Sequence, residues 1–208
     1  MQLIVITPEI TIKNEILLVT DLFEKGLERL HLRKHNATIS EYRNYLRQIP
    51  FPFHAFISIH QYPELLKEFP DVGFHCKASV IKDEVVMQTI FAYNHSNISA
   101  SFHSWEEMKE IVYPFKYVFI SPVFNSISKH GYKGCINIEN VKQVKAEIWQ
   151  QRNVCPDIIA LGGIAQDNIV KVYNAGFDGA AMLGSIWQAQ QPVSEFVRLK
   201  DYIKQVKQ

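Results

Sequence analysis

Residues Ile159–Ile186, IALGGIAQDNIVKVYNAGFDGAAMLGSI, carry one design twice over. In each half a β-rich apolar run ends in small residues just as a helical pattern begins: Leu161-Gly162-Gly163-Ile164 first, then Met182-Leu183-Gly184-Ser185-Ile186. Glycines let a backbone approach an oxyanion closely, and the free N–H groups at a following helix N-terminus, with the positive end of its dipole, bind the charge. Two such turns in consecutive βα units point to a (β/α)8 barrel, whose phosphate site is commonly built by the loops after strands seven and eight. Gly162, Gly163, Gly184 and Ser185 are therefore the expected phosphate-binding residues.

The rest of the sequence agrees with that host. Short apolar runs alternate with amphipathic stretches, the pattern of βαβ units on a parallel sheet. Strands are predicted at Gln2–Ile6, Leu27–Arg33, His54–Ile59, Val72–His75, Ile98–Phe102, Tyr117–Ser121, Asp157–Leu161 and Gly179–Leu183. Helices are predicted from Asn14, from Ser40, over Tyr62–Phe69, Asp83–Ala92, Ser104–Val112, Ile138–Gln151 and Gln166–Ala175, and from Ser185 onward. The fifth carries a Ser cap with Glu107 three residues on. The fold class is α/β, a short (β/α)8 TIM barrel forming one domain over residues 1–208. The loop Asn125–Gly134, after strand six, stands where an active-site lid belongs.

Composition narrows the partners. With 208 residues, 47% of them apolar and 21% charged, the chain suits a soluble globular fold with a sizeable core. A net charge of +1 and a pI near 7.7 call for neither nucleic acid nor an anionic membrane surface. The opening MQLIVITPEI has no basic n-region and no small-residue cleavage site, so a signal peptide is not expected. Cys76, Cys135 and Cys155 show neither CxxC spacing nor a metal-ligand partner, which fits a reducing, cytoplasmic setting.

Strand two ends His31-Leu32-Arg33-Lys34-His35, so alternation puts His31, Arg33 and His35 on one face. An arginine on the inward face at a barrel strand's end offers a planar fork of donors to a phosphate or diphosphate; the alternative is a solvated basic loop. After strand six, Ser126, Ser128 and Lys129 supply two hydroxyls and a mobile cation. Ser101 and His103 share a face at the end of strand five.

The segments HLRKH, VGFHC, ISASFHSWEE, YVFISPVFNSISK, IALGGI and GFDGAAMLGSI, in that order and spanning nearly the whole chain, resemble the thiamine phosphate synthase/TenI family. The resemblance implies a (β/α)8 barrel that holds a thiazole phosphate and, in the synthase, a hydroxymethylpyrimidine diphosphate. Gly162 and Gly163 match the family's GGI turn, and Gly184 and Ser185 its final small-residue pair. Arg33 matches the arginine of its QLREK segment, where His31 stands for the glutamine and His35 for the lysine. Ser101 and His103 match its SxH element, while Ser126, Ser128 and Lys129 match its PTxTK loop.

Two departures bear on the reaction. Where the synthase has an Asn-Asp pair after strand three, this chain has His60 and Gln61; where it has an aspartate after strand four, this chain has Ala78-Ser79-Val80. Both family carboxylates that help hold Mg2+ are missing, and Mg2+ depends on such hard ligands. The expectation is a TenI-like, metal-independent proton transfer on a thiazole phosphate, with no cofactor or metal required and with His31, His35 or His60 as acid–base groups. Arg33, Ser101, His103, Ser126, Ser128 and Lys129 would line the substrate. Tautomerases of this family carry a histidine in a GHVF segment where this chain has Pro122, as the synthase does. Two alternatives stand beside that expectation: a Mg2+-dependent synthase releasing pyrophosphate, and a non-catalytic thiazole phosphate-binding protein. The partners expected are small phosphorylated molecules, with a homo-oligomer compatible with the sequence.

Overall fold

The fold was analysed in a computed structural model that describes residues 1–93, 97–125 and 134–206. Eight parallel strands close in sequence order into a barrel: β1 Gln2–Ile6, β2 Arg29–Leu32, β3 Ile57–Ile59, β4 Gly73–Cys76, β5 Ile98–Phe102, β6 Tyr117–Ile120, β7 Asp157–Leu161 and β8 Gly179–Met182. The first and last strands pair in register, Gln2 beside Gly179 and Val5 beside Met182. The TIM-barrel expectation therefore holds. Closure removes both sheet edges, and the side chains that alternate inward fill the centre.

Around the barrel lie α1 Glu15–Glu24, α2 Ile39–Gln48, α3 Ala78–Ile81, α4 Glu84–Tyr93, α5 Trp105–Lys109, α6 Val141–Arg152, α7 Ile169–Ala175, α8 Gly184–Trp187 and α9 Pro192–Val206. Their caps explain several starts. Thr38 and Glu41 form a reciprocal capping box at α2, and the Ser104 hydroxyl accepts from the Glu107 backbone N–H at α5, as the sequence predicts. Among the described residues no helix is long and apolar enough to cross a membrane.

Several boundaries differ from expectation. Predicted strand three loses His54, which lies in a 3-10 helix, Phe51–Phe56, opened by proline and bonded through Nε2 to the Leu46 and Ile49 carbonyls. The helix predicted over Tyr62–Phe69 is a 3-10 turn, Pro63–Lys67, entered through left-handed Tyr62. The helix predicted from Ser185 divides into α8 and α9, the second beginning at Pro192, whose missing N–H suits a first helical turn. α7 begins only at Ile169, so the first of the two glycine turns leads into a loop before its helix, whereas the second enters α8 directly at Gly184.

Two apolar layers form. The larger packs the outward faces of the strands against the helices, with Leu32, Leu46, Phe74, Val118, Ile158 and Phe196 among its buried members. The smaller fills one side of the interior with Ile4, Ile6, Phe119, Ile159 and Ala181. The opposite side, from β2 to β5, turns Arg29, His31, Ser58, His75 and Ser99 inward, all buried. The barrel is thus apolar on one flank and polar on the other.

Candidate functional site

At the C-terminal end of the barrel a cavity of about 520 Å3 opens over both flanks. Gly162, Gly163 and Gly184 line it from β7 and β8; Arg33, His35, His60, His75, Lys77, Ser79, Ser101 and His103 line it from the polar side. Of the residues singled out in the sequence, Arg33, His35, His60, Ser101, His103, Gly162, Gly163 and Gly184 line this cavity. Ser126, Ser128 and Lys129 lie outside the described residues.

The glycine turn is shaped by conformation and by crowding. Gly162 and Gly163 have φ of 106° and 64°, where side chains are rarely accommodated. The Val123 and Phe124 N–H groups donate to the Leu161 and Gly162 carbonyls, which ties this turn to the segment after β6. A Cβ on Gly163 would overlap the Asn125 carbonyl. At the other turn, Ser185 follows cavity-lining Gly184 at the start of α8, and its buried Oγ has no hydrogen-bond partner.

His31 is a correction to the expectation of substrate contact. Its side chain shares the inward face of Arg33, as alternation predicts, but lies one layer lower, is fully buried and does not line the cavity. Its Nδ1 is 2.9 Å from His60 Nε2, and its Nε2 is 2.7 Å from the Tyr117 hydroxyl. His60 and His75 reach the cavity floor with ring centroids 4.4 Å apart. His75 bonds Ser99 through Nδ1 at 2.8 Å and Ser101 through Nε2 at 2.6 Å. His35 stands at the rim with Nε2 against Arg33, and His103 Nδ1 donates to the Ser121 carbonyl at 3.1 Å.

Burial dominates the electrostatics. It holds His31 and His60 well below the ordinary histidine range, with neighbouring His75 pushing both the same way. His75 is pushed down to about 3, first by burial and then by Arg33 and Lys77. All three imidazoles are therefore neutral near pH 7. Their nearest ligand nitrogens lie within 4.8 Å of one another, a cluster of metal-ligating type. Yet cations surround them: Arg33 and Lys77 at the cavity wall and Arg29 below. No carboxylate lines the cavity among the described residues. Mg2+ needs hard oxygen ligands, so this donor set does not fit it, and the positive field suits an anion instead.

Lys77 and His75 are cavity residues to which the motifs assign no role. Their signal lies in spacing: Arg29-His31-Arg33, Ser58-His60, His75-Lys77, Ser99-Ser101-His103 and Tyr117-Phe119-Ser121 each repeat at two residues, the period of one strand face.

A family model described as thiamine monophosphate synthase matches residues 3–186. A thiamine-phosphate synthase of Dictyoglomus turgidum is 23% identical over 178 residues, 84% of this chain and 76% of that protein. One from Anoxybacillus flavithermus is 25% identical over 128 residues, 61% of this chain but only 57% of that relative's length. Among solved structures, thiamine phosphate pyrophosphorylase from Bacteroides thetaiotaomicron superposes with a TM-score of 0.72 at 28% identity, covering 98% of each chain. The pyrophosphorylase from Pyrococcus furiosus gives 0.78 at 23% identity, covering 99% of this chain and 96% of its own, a likeness of fold.

Proposed function

The chain belongs to the thiamine monophosphate synthase family, and from that membership we propose that it binds a thiazole phosphate and moves a proton on it without Mg2+, in the manner of TenI proteins. The observation that carries this reading is the cavity wall: imidazoles and cations face glycine turns, and no carboxylate lines it among the described residues. Phosphate lies against Gly162, Gly163 and Gly184, where the free backbone can approach it, with the unpartnered Ser185 hydroxyl beside them. The far end of the ligand meets Arg33 and Lys77, with Ser101 and His103 alongside.

Proton transfer at carbon needs groups that give and take a proton within reach of the ligand. His35, His60 and His103 line the cavity and take those roles, while His31 supports His60 from below. A second reading, synthase chemistry that couples a pyrimidine diphosphate to the thiazole and releases pyrophosphate, is supported by the relatives, which are thiamine-phosphate synthases.

One paired assay separates the two. The proton-transfer reading predicts an absorbance change with thiazole carboxylate phosphate that survives a chelator. Release of pyrophosphate from both synthase substrates, dependent on added Mg2+, would replace it with the second reading. Tight binding of thiazole phosphate with neither turnover would leave a binding protein.

A further inference from the structure

Three imidazoles converge at the foot of the cavity from three neighbouring strands. His31 comes from β2, His60 stands just beyond the end of β3, and His75 comes from β4. All three are buried; His60 and His75 line the cavity and His31 lies beneath them. Each offers a ring nitrogen, and these atoms lie within 4.8 Å of one another. His31 Nδ1 and His60 Nε2 already face each other at 2.9 Å.

Two neutral imidazoles that meet nitrogen to nitrogen share one proton between them. A metal ion can replace that proton, which then moves to the far nitrogen of its own ring, and both lone pairs turn to the ion. The surroundings allow the exchange. The far nitrogen of His31, Nε2, lies 2.7 Å from the Tyr117 hydroxyl, whose own proton has Ser58 and Ser99 to receive it. His75 meets Ser99 at Nδ1 and Ser101 at Nε2, so one nitrogen can face an ion while the other keeps its serine. Outer partners of this kind fix the orientation and tautomer of metal-ligating histidines.

The donor set selects the ion. Imidazole nitrogens suit zinc, cobalt, nickel and copper, whereas Mg2+ asks for oxygen. Tetrahedral Zn2+ holds such nitrogens at about 2.0–2.1 Å, hence about 3.3 Å apart, so the trio closes on an ion with ring movements of about 1 Å. Arg33 and Lys77 at the wall and Arg29 below oppose a bare dication. They oppose it least when it carries an anion, and the cavity is the route by which both enter.

We infer that His31, His60 and His75 form a three-histidine site for a divalent transition-metal ion of the zinc class, completed by an anion from the cavity as fourth ligand. The site belongs to the free protein. Its consequence rests on the function proposed above: an ion that takes the Nε2 lone pair of His60 removes that residue from proton transfer, so zinc inhibits and a chelator does not.

Tag-free protein, stripped with a chelator, is titrated with Co2+ at pH 7.5 and the visible spectrum is read. The expected result is one Co2+ per chain with the intense bands of a four-coordinate ion, displaced by one equivalent of Zn2+ and not by excess Mg2+. His60→Asn and His75→Asn each abolish the bands, and two variants from different strands guard against one that does not fold. Tyr117→Phe, which removes the acceptor behind His31, weakens binding by about 10- to 100-fold. His103→Asn removes a cavity imidazole outside the trio and leaves the spectrum as it is. Only the weak bands of six-coordinate Co2+, displacement by Mg2+, or bands that persist in a folded His60→Asn variant overturn the inference. The titration needs no substrate, so missing proton-transfer activity sinks the proposed function alone.

Discussion

Gly163 lies directly against the carbonyl of Asn125, and the turn after β7 and the segment after β6 both line the cavity, the first through Gly162 and Gly163 and the second through Ser121 and Pro122. A side chain at Gly163 meets two obstacles, the left-handed φ of 64° and that carbonyl. Gly163→Ala should therefore cost roughly 1–2 kcal/mol from the backbone conformation alone, with more from the overlap, and should weaken thiazole phosphate binding. Urea unfolding and calorimetric titration check both; an alanine variant with wild-type stability and affinity would show the turn is not held as described.

Lys34 and Glu15 form a buried pair on the outer side of β2. Their Nζ and Oε2 atoms are 2.8 Å apart, the Tyr45 hydroxyl donates to the other glutamate oxygen, and Lys34 also donates to the Pro8 carbonyl. Burial, more than the pairing, sets the lysine's direction, and its pKa is lowered. Lys34→Met strands the carboxylate and should cost about 3–5 kcal/mol, whereas Lys34→Met with Glu15→Leu should recover much of that loss. Denaturant midpoints of the two variants decide it; equal losses would mean that the pair contributes through packing alone.

Lys77 has no acidic partner among the described residues and faces the cavity beside Arg33. A charge-assisted hydrogen bond contributes about 1.5–3 kcal/mol, so Lys77→Met should weaken binding of a thiazole carrying both phosphate and carboxylate by roughly 10- to 100-fold. Binding of the thiazole phosphate without the carboxylate should change little. Equal losses for both ligands in a titration would place Lys77 at the phosphate instead.

The buried histidines set an acid limit on stability. Their folded pKa values lie below the ordinary 6.5, to about 3 for His75, so the unfolded chain binds more protons throughout that window. Stability is then level above pH 6.5 with respect to these groups and falls as pH drops below it, by roughly 1 kcal/mol per pH unit for each histidine. Thermal melts across pH 7.5 to 4.5 should show the decline beginning well above the carboxylate range, and His75→Gln should make it shallower. A melting temperature unchanged down to pH 5 contradicts neutral burial.

The barrel was legible in the sequence because its signals are local. Strand alternation, helix caps at Ser104, and glycines at the ends of β7 and β8 each depend on a few neighbouring residues, and all eight strands appear within a few residues of their predicted places. Boundaries moved where proline or a long-range contact intervened, as at His54, whose imidazole is held by carbonyls of the α2 end.

The sequence by itself determined the strand order, the glycine turns and which side chains share a strand face, for these follow from backbone stereochemistry and a two-residue period. Depth was decided only by closure of the barrel. His31 and Arg33 share a face, yet one bonds His60 beneath the floor and the other lines the cavity, because each strand crosses several interior layers and register with its neighbours sets the level. Closure likewise brought Arg29, Ser58 and Tyr117 together from β2, β3 and β6, residues far apart in the chain whose hydrogen-bond order has no local trace.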